Sequence, residues 1–267
     1  MRNLIRADVY KIVRGKALYI TFAVLLLYII MTIVTEAIVI GFVDTYGQTA
    51  PIGIERYESV DGVVSALGVL FSSMETLIFI LLSLILLVVA PIFASGAVKN
   101  DIARGVSRTK LYFSKMVICA VLCVLMYAFY LSIGTLAYLL TNGFGSPVPV
   151  DFWGTMLQTV GAQLLLFFAI TCFGLFLIFT LKRSGMVIGI FLAAMLLPHV
   201  LLNVLTMVNS DLASILANFD LPASIGRLGF LNQLEISAIL TMLGVGILYI
   251  VASTIFGLAS FRKAEIK

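Results

Sequence analysis

Charge is scarce in this chain: Asp, Glu, Lys and Arg make up 11% of its 267 residues, against about 25% in an ordinary soluble domain. Hydrophobic residues reach 62%, so too little polar surface remains to cover a soluble fold of this size. Histidine occurs once, at His199, and the three cysteines (Cys119, Cys123, Cys172) show no CxxC spacing. A metal site and a redox motif are therefore not expected, and the thiols read as small buried hydrophobes. The chain has no GxxxxGK[ST] phosphate loop, so any ATP-driven work needs another polypeptide to bind ATP and Mg. No nucleophile–base pair can be assembled, which argues against an enzyme. Internal repeats, low-complexity tracts and a soluble domain are all missing. The first apolar stretch is too long for a cleavable signal peptide, and no small-x-small site follows it.

What the chain has is apolar length. A helix needs about 20 apolar residues to cross the ~30 Å hydrocarbon layer. Six segments qualify: about Ala17 to Val43, Ala66 to Ala94, Tyr112 to Leu140, Gly154 to Leu181, Gly185 to Met207 and Ile236 to Ser260. The expected fold is an all-α integral membrane protein forming a single transmembrane domain. The second and third runs exceed the minimum and must tilt or project into the cytosol.

Cations orient these spans. Fifteen of the seventeen Lys and Arg residues fall in Arg2–Lys16, Lys99–Lys115, Lys182–Arg183 and Arg262–Lys267. Cytoplasmic loops retain Lys and Arg, so the pattern places both termini inside. The net charge of +4 then belongs to the membrane surface rather than to nucleic acid. The three other loops hold eight of the thirteen acidic residues. Tyr46, Tyr57, Phe152 and Trp153 fall near the expected outer interface, where aromatic rings are favoured.

Residues 1–16 form a separate amphipathic helix. Leu4, Ile5, Val9, Ile12 and Val13 cover one half of its wheel; Arg6, Lys11 and Arg14 lie on the other, and Asp8 interrupts the apolar stripe. Such a helix lies on the inner membrane surface, either as a plain anchor or as a partner-binding element. Between the last two spans, Asp211–Asn218 and Ile225–Leu231 are amphipathic or apolar but too short to cross. Segments of that kind dip into the membrane or cap the bundle.

Three polar residues lie in apolar context. His199 follows Pro198, where an imidazole either packs at a proline kink or serves a proton or substrate role. Glu36, about 29 Å along its span, reaches the outer interface. Glu75 lies about 13 Å below the outer end of the second span. It faces the bundle interior or a dimer axis, or else a longer loop leaves it near the headgroups.

The most informative segment is the loop 95–115. Its first half can extend the second span until Gly105 stops it, and Ser107 can cap the helix that follows. The result is a tight helix–Gly–helix corner presenting Lys99, Asp101, Arg104, Arg108 and Lys110.

The run Gly96-x-x-Lys99-(five residues)-Gly105-x-Ser107-Arg108-Thr-Lys-Leu-Tyr-x-x-Lys115 resembles the first cytoplasmic loop of ABC-2 type permeases. It looks most like the small bacterial subunits associated with bacitracin resistance, lantibiotic immunity and export of amphipathic peptides. The opening Met-Arg-Asn-Leu-Ile-Arg-Ala-Asp-x-Tyr-Lys is similar to that family's start. The resemblance implies a bacterial cytoplasmic-membrane permease that pairs with a second permease subunit and with a cytosolic ATPase. It also implies that Lys99, Asp101, Arg104, Gly105 and Arg108 form the coupling helix seated in the ATPase, with residues 1–16 as a connecting helix. Export of an amphipathic or hydrophobic cargo, such as a peptide antibiotic, is then expected. The alternative is a proton-coupled carrier using Glu75 and His199.

Overall fold

A computed structural model describes residues 2–46, 62–94, 96–103, 105–145, 148–208, 210–229 and 236–263. These residues are helical almost throughout: α1 (Arg2–Arg14), α2 (Lys16–Tyr46), α3 (Val63–Ser72), α4 (Leu77–Ala94), α5 (Ala97–Ala103), α6 (Arg108–Asn142), α7 (Val150–Leu181), α8 (Ser184–Val208), α9 (Ser210–Ala217), α10 (Leu221–Arg227) and α11 (Ile236–Lys263). A 3-10 turn, Ser73–Thr76, joins α3 to α4. Among the described residues, six helices are long and apolar enough to cross a membrane, α3 and α4 counting as one. Each covers an expected span to within a few residues. Helix α6, with 35 residues, is about 52 Å long and exceeds the hydrocarbon layer, as its length in the sequence requires.

Helix α7 is the axis of the bundle. Its apolar window is 61% buried, whereas those of α2 and α8 are only 17% buried and lie on the outside. Its long inner stripe, including Leu166, Phe167, Ile170, Leu175 and Phe179, is fully or almost fully enclosed. Helix α11 approaches it closely through small residues, because in an apolar solvent helix association depends on packing rather than on hydrophobic burial. A Cβ at Gly257 would come within 2.7 Å of Tyr112 Oη and 3.2 Å of the Phe176 backbone. A Cβ at Gly246 would meet the Leu165 and Leu166 side chains at 2.7 Å. All three cysteines are buried in this packing, as small hydrophobes are.

The second span is not a continuous α-helix. Where the ladder switches to 3-10 geometry, carbonyl oxygens keep spare acceptor capacity that an apolar environment penalises. Side chains from three other spans take up that capacity. Tyr130 Oη donates to the Leu70 carbonyl at 3.4 Å, Gln163 Nε2 to Phe71 at 3.2 Å, and Tyr28 Oη to Ser73 at 2.8 Å. Gln163 is fully buried and holds two more partners: its Nε2 donates to the Ile225 carbonyl at 2.9 Å, and its Oε1 accepts from Tyr127 Oη at 2.8 Å. The break is thus tied to α2, α6, α7 and α10.

The segment between α8 and α11 caps this break. Leu221, Ile225 and Leu228 are buried, and α10 packs against the 3-10 turn, α3, α7 and α8. Gly229 lies against Phe71, where a Cβ would stand 3.0 Å from the backbone. Packing onto the bundle agrees with either role expected of this segment; residues 230–235 lie outside the described residues, as does Tyr57.

Gln163→Leu leaves the Phe71 and Ile225 carbonyls and the Tyr127 hydroxyl without their partner. Thermal unfolding of the solubilised protein should show a loss of about 1–3 kcal/mol. A variant as stable as wild type would mean that the break does not need this amide.

Candidate functional site

Two places gather chemistry, and they lie at opposite ends of α4, whose 18 residues span about 27 Å. One is the corner after α4; the other is a cleft at the 3-10 turn before it.

At the corner, α4 ends at Ala94 and Gly96 turns the chain with φ +66°. The short α5 follows, and Gly105 turns it again with φ +84°, its amide donating to the Ile102 carbonyl at 2.9 Å. Both turns use left-handed backbone, which glycine adopts without steric cost. Ser107 Oγ then caps α6 by accepting from the Lys110 amide at 3.4 Å. The glycine stop and the serine cap match the expectation. The continuous extension of the second span does not, because Gly96 makes α5 a separate helix.

The residues expected to dock a partner are placed unequally. Lys99 and Asp101 lie on α5, but their side chains are outside the described set, as is Arg104. Gly105 stands in open space, so only its φ restricts substitution there. Arg108 bends back into the chain. Its Nη1 donates to the Phe261 and Arg262 carbonyls at 3.1 and 2.6 Å, while Arg262 Nη2 donates to Thr109 Oγ1 at 3.0 Å. A cation at the C-terminal end of a helix meets its free carbonyls and the negative end of its dipole. Arg108 therefore clamps α11 to the start of α6.

A second clamp joins α1 to the same helix. Lys115 is almost fully buried, and its Nζ lies 2.6 Å from Asp8 Oδ2. This explains why Asp8 interrupts an apolar stripe: it faces inward to neutralise a buried ammonium. Leu4, Ile5 and Ile12 pack against the core, whereas Val9 and Val13 stay exposed. Arg6, Lys11 and Arg14 are exposed, and Arg14 covers the Tyr10 ring at 4.5 Å. Helix α1 also closes a recess of about 280 Å³ against Pro91, Ala97 and Lys115. Corner, α1, α6 and α11 are thereby mechanically joined.

At the cleft, the structure brings together the two residues singled out from their apolar context. Glu75 and His199 line one recess of about 100 Å³, with Phe79, Leu196 and Pro222. Glu75 is exposed to this cleft rather than packed in the bundle interior, because the 3-10 turn rotates it away from Met74, which is buried. His199, one residue beyond Pro198, is half exposed. The expectations missed a third member, Asp220, whose carboxylate Oδ2 lies 3.4 Å from His199 Nδ1. Asp220 is the N-cap of α10, but it closes no side-chain cap hydrogen bond. Its place before Leu221-Pro222 was the available signal, since proline in the first turn marks a helix start.

Burial pushes the Asp220 carboxyl above the ordinary carboxylate range, offset in part by His199 and the nearby Ala223 amide. A carboxyl raised in the folded state binds more protons folded than unfolded. Stability is then greatest below the ordinary Asp range and falls as pH rises through the raised value. The half-exposed His199 returns little of that loss. Asp220→Asn should match wild type in acid and exceed it at neutral pH in melting temperature measured against pH. Equal profiles would contradict the burial argument. For the Asp8–Lys115 clamp, Lys115→Met or Asp8→Ala alone should destabilise, the former by leaving an unpaired, mostly buried acid and the latter an unpaired buried ammonium, about 3–5 kcal/mol in the worse case. The double variant should recover most of that loss in the same thermal assay; additive losses would mean that the two residues act separately.

No protein-family model matches the chain, and no curated protein matches it.

Proposed function

We propose that this chain is the membrane-spanning subunit of an exporter driven by a separate cytosolic ATPase. The observation that carries the reading is the α4–α5–α6 corner, a short helix bounded by glycine turns at Gly96 and Gly105 that joins two long apolar helices. An element that transmits force must be stiff and must not slip against the spans it moves. The clamps from Lys115 to Asp8 and from Arg108 to the end of α11 support this, since a push on the corner also displaces α1 and α11. In this reading both termini and the corner lie on the cytosolic side of a bacterial plasma membrane, where the Lys and Arg clusters favour them. Helix α1 lies at the inner surface with Arg6, Lys11 and Arg14 toward headgroups or the ATPase. Lys99, Asp101, Arg104 and Gly105 form the docking face, with Arg108 bracing it from behind. A second permease subunit covers part of the exposed apolar surface, and the cargo is amphipathic or apolar.

The cleft favours a second reading, a proton-coupled carrier. Glu75, His199 and Asp220 form a cluster of three titratable groups rather than two isolated ones, and such clusters mark proton relays in membrane proteins. That reading makes no use of the corner.

Gly105→Val forces a β-branched residue into left-handed backbone without a steric clash to other elements. Co-purification of the ATPase and ATP-dependent export should each fall about tenfold or more, given a strain of about 1–3 kcal/mol at the docking face. Membrane insertion should be unchanged. Full export by this variant would remove the corner from the mechanism.

A further inference from the structure

An apolar recess of about 620 Å³ lies between α1, α2 and α6. Val9 and Val13 of α1, 43% and 49% exposed, belong to its wall. Along α6 it runs from Val117 to Ser132, about 22 Å, enough to take an acyl chain through one hydrocarbon leaflet of about 15 Å. It ends where α2 and α6 converge. There the Phe22 and Phe129 rings meet edge to face at 5.1 Å, and further along both helices Tyr28 stacks on Tyr130 at 5.9 Å. The one polar side chain in the lining, Ser132, turns its hydroxyl to the Ala128 carbonyl at 2.7 Å. The groove therefore offers an occupant only hydrocarbon contact.

Charge lies along one edge of it. Arg6, Tyr10 and Arg14 follow one another at i, i+4 spacing on α1, on the side of the helix next to Val9 and Val13. All three are exposed. Arg14 stacks over the Tyr10 ring at 4.5 Å, which uses a face of its guanidinium and leaves the N–H edges for an anion. The one acid of α1, Asp8, is directed elsewhere and neutralises Lys115.

These features select the occupant. A helix crossing the whole layer would have to pass the place where α2 and α6 meet, whereas an acyl chain ends within one leaflet. The two guanidiniums complement a phosphate of net negative charge. A buried chain and a basic patch together give stable attachment where either alone is weak.

We infer that the α1–α2–α6 groove is a binding site for an anionic phospholipid of the cytoplasmic leaflet: one acyl chain lies along α6 between Val117 and Ser132, and the phosphate meets Arg6 and Arg14. This rests on the placement of α1 at the inner membrane surface, and not on coupling of the corner to an ATPase.

The test is native mass spectrometry of the full chain released from detergent micelles. It is titrated with dioleoylphosphatidylglycerol or dioleoylphosphatidylcholine, which share both tails and differ in net charge. The first phosphatidylglycerol should bind about tenfold or more tightly than the first phosphatidylcholine. Arg6→Gln combined with Arg14→Gln should abolish that preference. Arg183→Gln combined with Lys263→Gln removes two exposed cations from other helices and should preserve it. Ala128→Phe fills the groove from an exposed position, so the fold is kept, and should weaken both lipids about tenfold. Equal affinity for the two lipids, an equal loss in both charge variants, or undiminished binding by Ala128→Phe would overturn the site. Lost preference with intact ATP-dependent export leaves the corner standing, and failed export with intact preference leaves the lipid site standing.

Discussion

The arrangement of the whole bundle depends on backbone carbonyls that the second span cannot satisfy by itself. At Ser73–Thr76 its ladder changes from α to 3-10 geometry, and no water is at hand in an apolar interior to accept the difference. Tyr28, Tyr130 and Gln163 supply the missing donors from α2, α6 and α7. Each of those helices is thereby fixed in depth and rotation relative to the break. Gln163 reaches α10 as well, which seats the cap over the same place and brings Asp220 to His199. The cleft exists because the span is broken there: an unbroken helix would leave Glu75 without the turn that rotates it outward. One irregularity thus sets the bundle's packing and exposes its most polar recess.

The opposite end of α4 is organised by charge instead. Two contacts join cations of α6 to sequence-distant elements: Lys115 to the Asp8 carboxylate on α1, and Arg108 to the carbonyls at the end of α11. They absorb two of the five cations in the Lys99–Lys115 cluster. Part of the cluster therefore has a structural task, and on the export reading α5 carries the docking. A corner bounded by two glycine turns thus lies at one end of α4 and a polar cleft at the other, joined by that single helix.

Much of this was legible in the sequence, for identifiable reasons. Apolar runs of more than 20 residues have few alternatives to a membrane-spanning helix, so all six were located to within a few residues. Gly105 and Ser107 carry strong local preferences, and both act as expected. The break at Ser73–Thr76 was not legible, because Ser-Met-Glu-Thr contains neither proline nor glycine and the donors that stabilise it come from distant segments. Gly96 was read as part of a continuous helix, since a lone glycine in a helical pattern is tolerated. Asp8 looked like an interruption, and Lys115 like one more cytoplasmic cation; only their meeting shows that each explains the other. Asp220 lay in a loop, and its relation to His199 follows from tertiary packing alone.

On the export reading, the most direct measurement is uptake of an amphipathic peptide into inverted membrane vesicles that contain this chain and a candidate partner ATPase, with and without ATP and with and without an uncoupler. Uptake that requires ATP and persists when the proton gradient is collapsed is the expected result. Uptake that needs no ATP and disappears with the gradient would contradict coupling through the corner and assign the work to Glu75, His199 and Asp220.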